Sequence, residues 1–296
     1  MNYYPIKPVK IAKGIEEGIS SDAKLVVTSD AKYILRRVKD TKQAETEYKI
    51  SKVLSIQNIT SDILLSKRNQ PFIEINDDIY NLQTYMPNQR GHNEFNYYDL
   101  GRIISIFHSE TQKINSLSEQ KDRFSLDEMW EQLKQNIGFT QVDFKKDLIR
   151  MVEQSFNYNH ENNCYIHGDL GKWNLLRDEN NIYIIDFGEV RKGNNHFDIS
   201  AVISSTLDWN MEDEKIIASL NDFRNGYIAN FEQFNWSILR ENLTLWFTRG
   251  IIALLITNGI NHHTCNTARL IIERRNRLDR IIKCIPAITE MDSLRI

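Results

Sequence analysis

The sequence predicts an α+β chain: a small N-terminal part with an antiparallel sheet and one helix, then a larger, mainly helical part. Two patterns carry this reading. In the first 87 residues, short β-prone runs alternate with turn residues, and one stretch has helical periodicity. From Tyr97 onward, apolar residues recur at helical spacing over most of the chain. A third observation sits among the helices, where residues 165–189 hold two short apolar runs around a polar turn. With 296 residues and 41% hydrophobic content, the chain can bury a sizeable core in one large domain or two lobes.

Residues 1–20 carry little signal. Leu25-Val26-Val27-Thr28 is β-prone, Ser29-Asp30-Ala31 is a turn, and Tyr33-Ile34-Leu35-Arg36-Arg37-Val38 is a second strand. On that strand Arg36 and Arg37 point to opposite faces. Thr41 to Ile56 is helical, because Ile50, Val53 and Leu54 recur at i, i+3 and i+4. Glu45 and Glu47 on its first half lie about 200° apart, so only one can face a given partner. Ile63-Leu64-Leu65 and Phe72-Ile73-Glu74-Ile75 read as strands, with Asn76-Asp77-Asp78 a turn. Ile79 to Met86 is the last strand of this part and runs into Pro87-Asn88-Gln89-Arg90-Gly91.

In the larger part, Leu100, Ile103, Ile104 and Phe107 mark a helix over Tyr97 to Glu110. Ser125 to Phe156 holds one or two helices, with Ser125, Asp127 and Glu128 at the start. Then comes Tyr165-Ile166-His167-Gly168-Asp169-Leu170, followed through Lys172 and Trp173 by Asn174. A polar run, Arg177 to Asn181, separates this from Tyr183-Ile184-Ile185-Asp186-Phe187-Gly188-Glu189, so the segment reads as a hairpin with a loop in front. From Met211 onward, residues 211–230, 236–258 and 266–284 are helical in pattern.

Asp169, Asn174 and Asp186 stand at fixed offsets on that hairpin. Phosphoryl transfer from a nucleoside triphosphate needs such a set. One carboxylate orients the acceptor hydroxyl and takes its proton, while an amide oxygen and a second carboxylate hold Mg2+. Oxygen ligands suit Mg2+, which keeps several waters and needs few protein groups. His-x-Asp-x-x-x-x-Asn followed by Asp-Phe-Gly is the catalytic-loop and metal-loop pair of kinases, and here Asn174 and Asp186 are twelve residues apart.

On these residues, His167-Gly168-Asp169-Leu170 with Asn174 and then Ile185-Asp186-Phe187-Gly188-Glu189, the chain resembles the aminoglycoside phosphotransferase and choline kinase-like family. The resemblance implies a two-lobed protein kinase-like fold, with a nucleotide-binding lobe over 1–87 and a catalytic and acceptor-binding lobe over 88–296. It implies ATP or GTP and Mg2+ as cofactors, Asp169 as catalytic residue, and Asn174 and Asp186 as metal ligands. Tyr33-Ile34-Leu35-Arg36 aligns with the family's Tyr-Val-Leu-Lys, so Arg36 is expected to hold phosphate, with Glu47 as its partner. Arg is a planar fork rather than a point charge and can grip phosphate bidentately. The Tyr85 carbonyl and Met86 amide are placed to hold the base, and Ser20 and Ser21 lie in the segment suited to cover the nucleotide. His167 and Asp198 are expected to brace the catalytic loop. His108 falls where the family has a buried helix. Trp173 stands where many relatives have Gly and is expected to pack locally or shape the entrance. Asp208 and Trp209 are candidate acceptor contacts, or else a helix N-cap and a packing Trp. Gly168 stands where most protein kinases carry Arg, which speaks against control by a phosphorylated activation loop.

Composition narrows the function classes. A net charge of −3 argues against a general nucleic-acid binder. Three cysteines without a Cys-x-x-Cys give neither a disulfide framework nor a zinc site. The run Leu243 to Ile256 is broken by Arg249 and is too short to span a bilayer, and Met1 to Lys10 lacks the apolar core of a signal peptide. The cytoplasm is therefore expected, with no membrane partner. The activity that the motifs and the resemblance imply is transfer of a γ-phosphate to a hydroxyl of a small molecule: an aminoglycoside, amino sugar, choline or homoserine-like acceptor. The alternative is a non-catalytic kinase-like nucleotide-binding or structural protein, for which Arg36 in place of Lys is the support. Arg269, Arg274, Arg275, Arg277, Arg280 and Lys283 make the last helix basic, either as a solvated face or as a docking surface for an anion.

Overall fold

The computed structural model describes residues 3–14, 23–88, 95–117, 121–122, 124–158, 160–179 and 181–293. Strands β1 (Ile11–Gly14), β2 (Ala23–Val27), β3 (Lys32–Val38), β4 (Ile73–Ile75) and β5 (Asp78–Thr84) form one antiparallel sheet in the order β1-β2-β3-β5-β4. The β4–β5 turn uses Asn76 and Asp77 at φ 49° and 68°, the two left-handed residues that a tight hairpin needs. Leu35 pairs with Leu82 across the sheet, and both bury with Tyr4, Val26 and Ile73 in a small core. Strand alternation then puts Tyr33, Leu35 and Arg37 on that face and Arg36 on the other. Ile63-Leu64-Leu65 is not a strand. It makes a single bridge, Ile63 to Gln83. The Oγ of Ser51 accepts the Ile63 N–H at 3.0 Å, and β4 already takes the start of that edge of β5, so no ladder propagates.

Helix α1 (Thr41–Leu54) begins at Asp40, whose side chain accepts the Gln43 N–H, a standard N-cap. It serves both parts of the molecule. Ile50 and Leu54 join the main core of the helical region, whereas Gln43 and Glu47, also buried, reach the polar groups below the sheet.

The larger part contains α2 (Tyr97–Gln112), α3 (Leu126–Lys134), α4 (Lys145–Asn157), β6 (Cys164–Ile166), β7 (Leu175–Arg177), β8 (Ile182–Ile184), β9 (Arg191–Gly193), α5 (Asn195–Thr206), α6 (Asp213–Ile228), α7 (Trp236–Asn258) and α8 (His262–Ser293). β6 pairs with β9, and β7 with β8, both antiparallel. Helix α5 left no helical stripe in the sequence because Asn195 through Ile203 are all buried; a helix buried on all sides has no polar face. Helices α2 and α6 cross in close contact. A Cβ at Gly101 would overlap the Phe223 carbonyl, and one at Gly226 would overlap the Tyr98 carbonyl. Each glycine therefore admits the other helix's backbone.

The basic side chains of α8 are largely committed within the fold. Arg269 bonds Asp143, Arg275 bonds Thr244 and Gln154, Arg277 bonds Asp213, and Lys283 bonds Asp279. Among the described residues, no helix is long and apolar enough to cross a membrane.

Candidate active site

The loop between β6 and β7 carries His167, Gly168, Asp169 and Asn174, and its shape is set from behind. Asp198 on α5 is fully buried. It accepts the N–H of His167 at 2.6 Å and of Gly168 at 3.0 Å, and the Nε2–H of His108 at 3.1 Å. Burial opposes its charge, but His108, His167 and the backbone N–H hold its carboxyl below the usual range. The Nδ1 of His108 then accepts the Tyr227 hydroxyl at 2.7 Å, which itself accepts from Asn195 at 2.8 Å. The α2–α6 crossing brings His108 and Tyr227 together. His167 bonds the Ile185 carbonyl through Nε2 at 2.9 Å and so ties the loop to the end of the β7–β8 hairpin. His167 and Asp198 thus both contact backbone of the loop or of the adjoining hairpin.

In front of this brace, Asn174 donates through Nδ2 to the Asp169 carbonyl at 2.7 Å. That bond directs its amide nitrogen inward, so the oxygen is the group left to hold a metal. Asn174 lies next to Asp186 because the Ile185 N–H bonds the Asn174 carbonyl at 3.0 Å. Asp186 sits at φ 66°, a left-handed conformation uncommon outside Gly, and it caps the short turn that follows it. The Nε1–H of Trp173 donates to Asp169 Oδ2 at 3.3 Å, and the indole is 58% exposed.

Arg36 joins the sheet to this loop. Its Nη1 bonds both oxygens of Glu47 at 3.0 Å, and its Nη2 pairs with Asp186. Glu47 also accepts from Gln43 at 2.7 Å and Asn81 at 3.0 Å. Burial works against the charge on Arg36, but Glu47 and Asp186 outweigh it and raise its pKa. Arg37, on the opposite face, pairs with Asp78 at 2.7 Å. Tyr85 continues the β3 pairing through its N–H to the Lys32 carbonyl at 3.1 Å, and Met86 follows at the end of the sheet. Ser20 and Ser21 lie outside the described residues.

Asp208 and Trp209 have other local partners. Asp208 accepts from the backbone and side chain of Asn210, while Trp209 packs on Phe247 under the Arg274 guanidinium.

A layer that the sequence reading missed lies against the loop that carries Gly168. Gly168 has φ 82°, and a Cβ there would overlap the Arg191 guanidinium. Arg191 pairs with Asp122 at 3.1 Å, Asp122 pairs with Arg249 at 2.8 Å, and both guanidinium groups lie over the Phe197 ring. Burial pulls the pKa of Arg249 down to about 10 despite Asp122. The available signal was an arginine inside the apolar run Leu243 to Ile256, since a charge there needs a partner.

Among the described residues, no group of three or more His, Cys, Asp or Glu is placed to hold a metal. Two oxygen donors, Asn174 and Asp186, still fit Mg2+, which takes its other ligands from water and substrate phosphate.

Comparison with known proteins agrees with this architecture. A sequence search against curated proteins finds no match. Similar solved structures include an amicoumacin kinase in complex with AMP-PNP, Ca2+ and Ami, with TM-score 0.72 and 13% identity, covering 94% of this chain and 90% of that one. A spectinomycin phosphotransferase in complex with ADP and spectinomycin has TM-score 0.65 and 13% identity, covering 94% and 95%. A microcompartment-associated aminopropanol kinase has TM-score 0.64 and 14% identity, covering 96% and 95%. These show the same protein kinase-like fold. The model of the phosphotransferase enzyme family matches residues 11–241, and the chain belongs to that family.

Proposed function

We propose that this small-molecule phosphotransferase moves the γ-phosphoryl group of ATP or GTP, with Mg2+, to a hydroxyl of its acceptor. Residues 1–87 act as the nucleotide lobe and 88–296 as the catalytic and acceptor lobe. The observation that carries the reading is the joining of Arg36, Glu47 and Asp186, with the neighbouring Ile185 bonded to Asn174 and Asn174 bonded to Asp169. Asn174 and Asp186 would hold the metal, which neutralises charge on the phosphates. Arg36, anchored by Glu47, presents its fork to the phosphates. Asp169 orients the acceptor hydroxyl and receives its proton as the new O–P bond forms and the bond to the β-phosphate oxygen breaks. Positioning contributes most of the rate in such transfers. Arg36 raised the non-catalytic alternative, yet its two bonds to Glu47 are what a phosphate-holding cation needs.

The neighbours bound to AMP-PNP or ADP support a nucleotide site, and those named for amicoumacin, spectinomycin and aminopropanol support an acceptor of that general kind. A cytoplasmic setting, where nucleoside triphosphates are made, fits the reaction. Thermal unfolding with ATP or GTP, each with and without Mg2+, tests the reading. The expected result is a Mg2+-dependent rise, about 2.7 kcal/mol at a hundredfold excess over Kd, that Asp186→Ala removes. No shift with either nucleotide would overturn it.

A further inference from the structure

We infer that Trp173 has two duties in this site: its N–H positions the catalytic carboxylate, and its exposed face is the platform for a ring-bearing acceptor. The inference rests on the phosphotransferase reading. Trp combines an apolar ring with a polar N–H tip, so one side chain can bond a carboxylate and still present a face. Here the indole is 58% exposed, and two contacts fix it.

The first contact is the Nε1–H bond to Asp169 Oδ2, the same oxygen that Asn174 Nδ2 reaches at 3.4 Å. Two donors on one oxygen set the rotation of the carboxylate. The second contact is with Gly171. A Cβ built there would sit almost equidistant from Cη2, Cζ2 and Cε2 of the indole. A point beyond the ring edge would be clearly nearer to one of these atoms. Gly171 therefore lies over a face of the six-membered ring, and only a residue without a side chain permits that approach. With one face against Gly171 and one edge on Asp169, the other face carries the exposure.

That face adjoins the carboxylate that must meet the acceptor hydroxyl. An indole face binds the C–H surface of a saturated ring, or a cationic substituent on it. It offers little to a short acyclic alcohol that carries only a primary ammonium, which stays strongly hydrated. The acceptor class is thus a cyclic, hydroxylated molecule, with a hydroxyl displayed at the ring edge toward Asp169. Trp173 is a positioning residue for Asp169 and a specificity residue for the acceptor.

The test uses the full chain with Trp173→Phe and Trp173→Ala. The emission of wild type minus that of Trp173→Phe reports Trp173 alone. With Mg2+ and AMP-PNP present, acrylamide quenching of that difference is measured with spectinomycin, kanamycin or glucosamine, and with 1-amino-2-propanol or ethanolamine. The expected result is shielding by at least one ring probe and by neither acyclic probe. With the shielding probe as acceptor, Trp173→Phe should lower kcat about tenfold, the loss of one hydrogen bond to a charged group, with KM nearly unchanged. Trp173→Ala should also raise the acceptor KM about tenfold, with KM for nucleotide unchanged in both. Shielding by an acyclic probe alone, or by none while Mg2+–nucleotide binding is intact, would overturn the platform. Wild-type kcat in both variants would overturn the positioning role. Absence of Mg2+–nucleotide binding in the wild type would instead overturn the phosphotransferase reading.

Discussion

Asp198 lies behind the catalytic loop, fully buried, and takes its hydrogen bonds from two backbone N–H groups and an imidazole. Asp186 lies in front, its side chain 39% exposed, and its partner is the full charge of Arg36. The rear network is buried, and its members are fixed by helices α2, α5 and α6. A satisfied polar network in such a place specifies one geometry. The front network joins the sheet, α1 and the turn at Asp186, and of its charges Asp186 is the most exposed. Such a pair can exchange a partner for a metal or a phosphate, which the rear one cannot.

The comparison can be broken from either side. The largest effect is expected from Asp198→Ala, which strands two backbone donors and His108 in a buried site. Stability should fall by about 3–5 kcal/mol in chemical denaturation, whether or not nucleotide is present. Next is Glu47→Gln, which leaves Arg36 with a weaker anchor. It should cost about 2 kcal/mol and weaken Mg2+–nucleotide binding about tenfold, read by titration. A stability loss with unchanged affinity would make the front network as static as the rear.

The rear region should also show in its acid response. Burial pushes the pKa of His196, next to Asp198 on α5, down to about 3. Its Nδ1 faces Asn194 Oδ1, and its Nε2 accepts the Asn235 N–H, so it is held neutral. Below pH about 6.5 the unfolded chain binds a proton that the folded one refuses. Stability therefore falls as pH drops from there toward 3, by at most about 1.4 kcal/mol per unit. His196→Gln should flatten that slope. Asp198, with its depressed pKa, contributes stability above the ordinary carboxylate range and loses it only in stronger acid. The smallest effect is expected from Arg37→Ala. Its half-exposed pair with Asp78 is worth less than about 1 kcal/mol, and nucleotide affinity should not change.

The sequence displayed the front of the site more clearly than the back. Asp169, Asn174 and Asp186 lie within one short segment, so their spacing alone showed that they could meet. Arg36 and Glu47 were legible through strand and helix periodicity plus the resemblance. The rear partners have no such local mark. Tyr227 is 119 residues from His108, and α5 has no amphipathic stripe. The run Ile63 to Leu65 misled because β propensity does not reveal whether an edge is open. The Arg191–Asp122–Arg249 layer is invisible to spacing because Asp122 and Arg249 meet across 127 residues.

The seam between Gly101 and Gly226 has a consequence for how such an enzyme can diversify. Any side chain at either position pries two helices apart, and the displacement passes through Tyr227, His108 and Asp198 to the catalytic loop. Two coordinated changes would be needed to cross that barrier, so the seam should stay frozen under selection for new acceptors. The rim at Trp173 carries no such packing constraint: exchanging its exposed ring costs the bond to Asp169 but moves no helix. A randomised library aimed at altered acceptor range belongs on that rim, and one that includes the glycine seam would yield mostly unfolded clones.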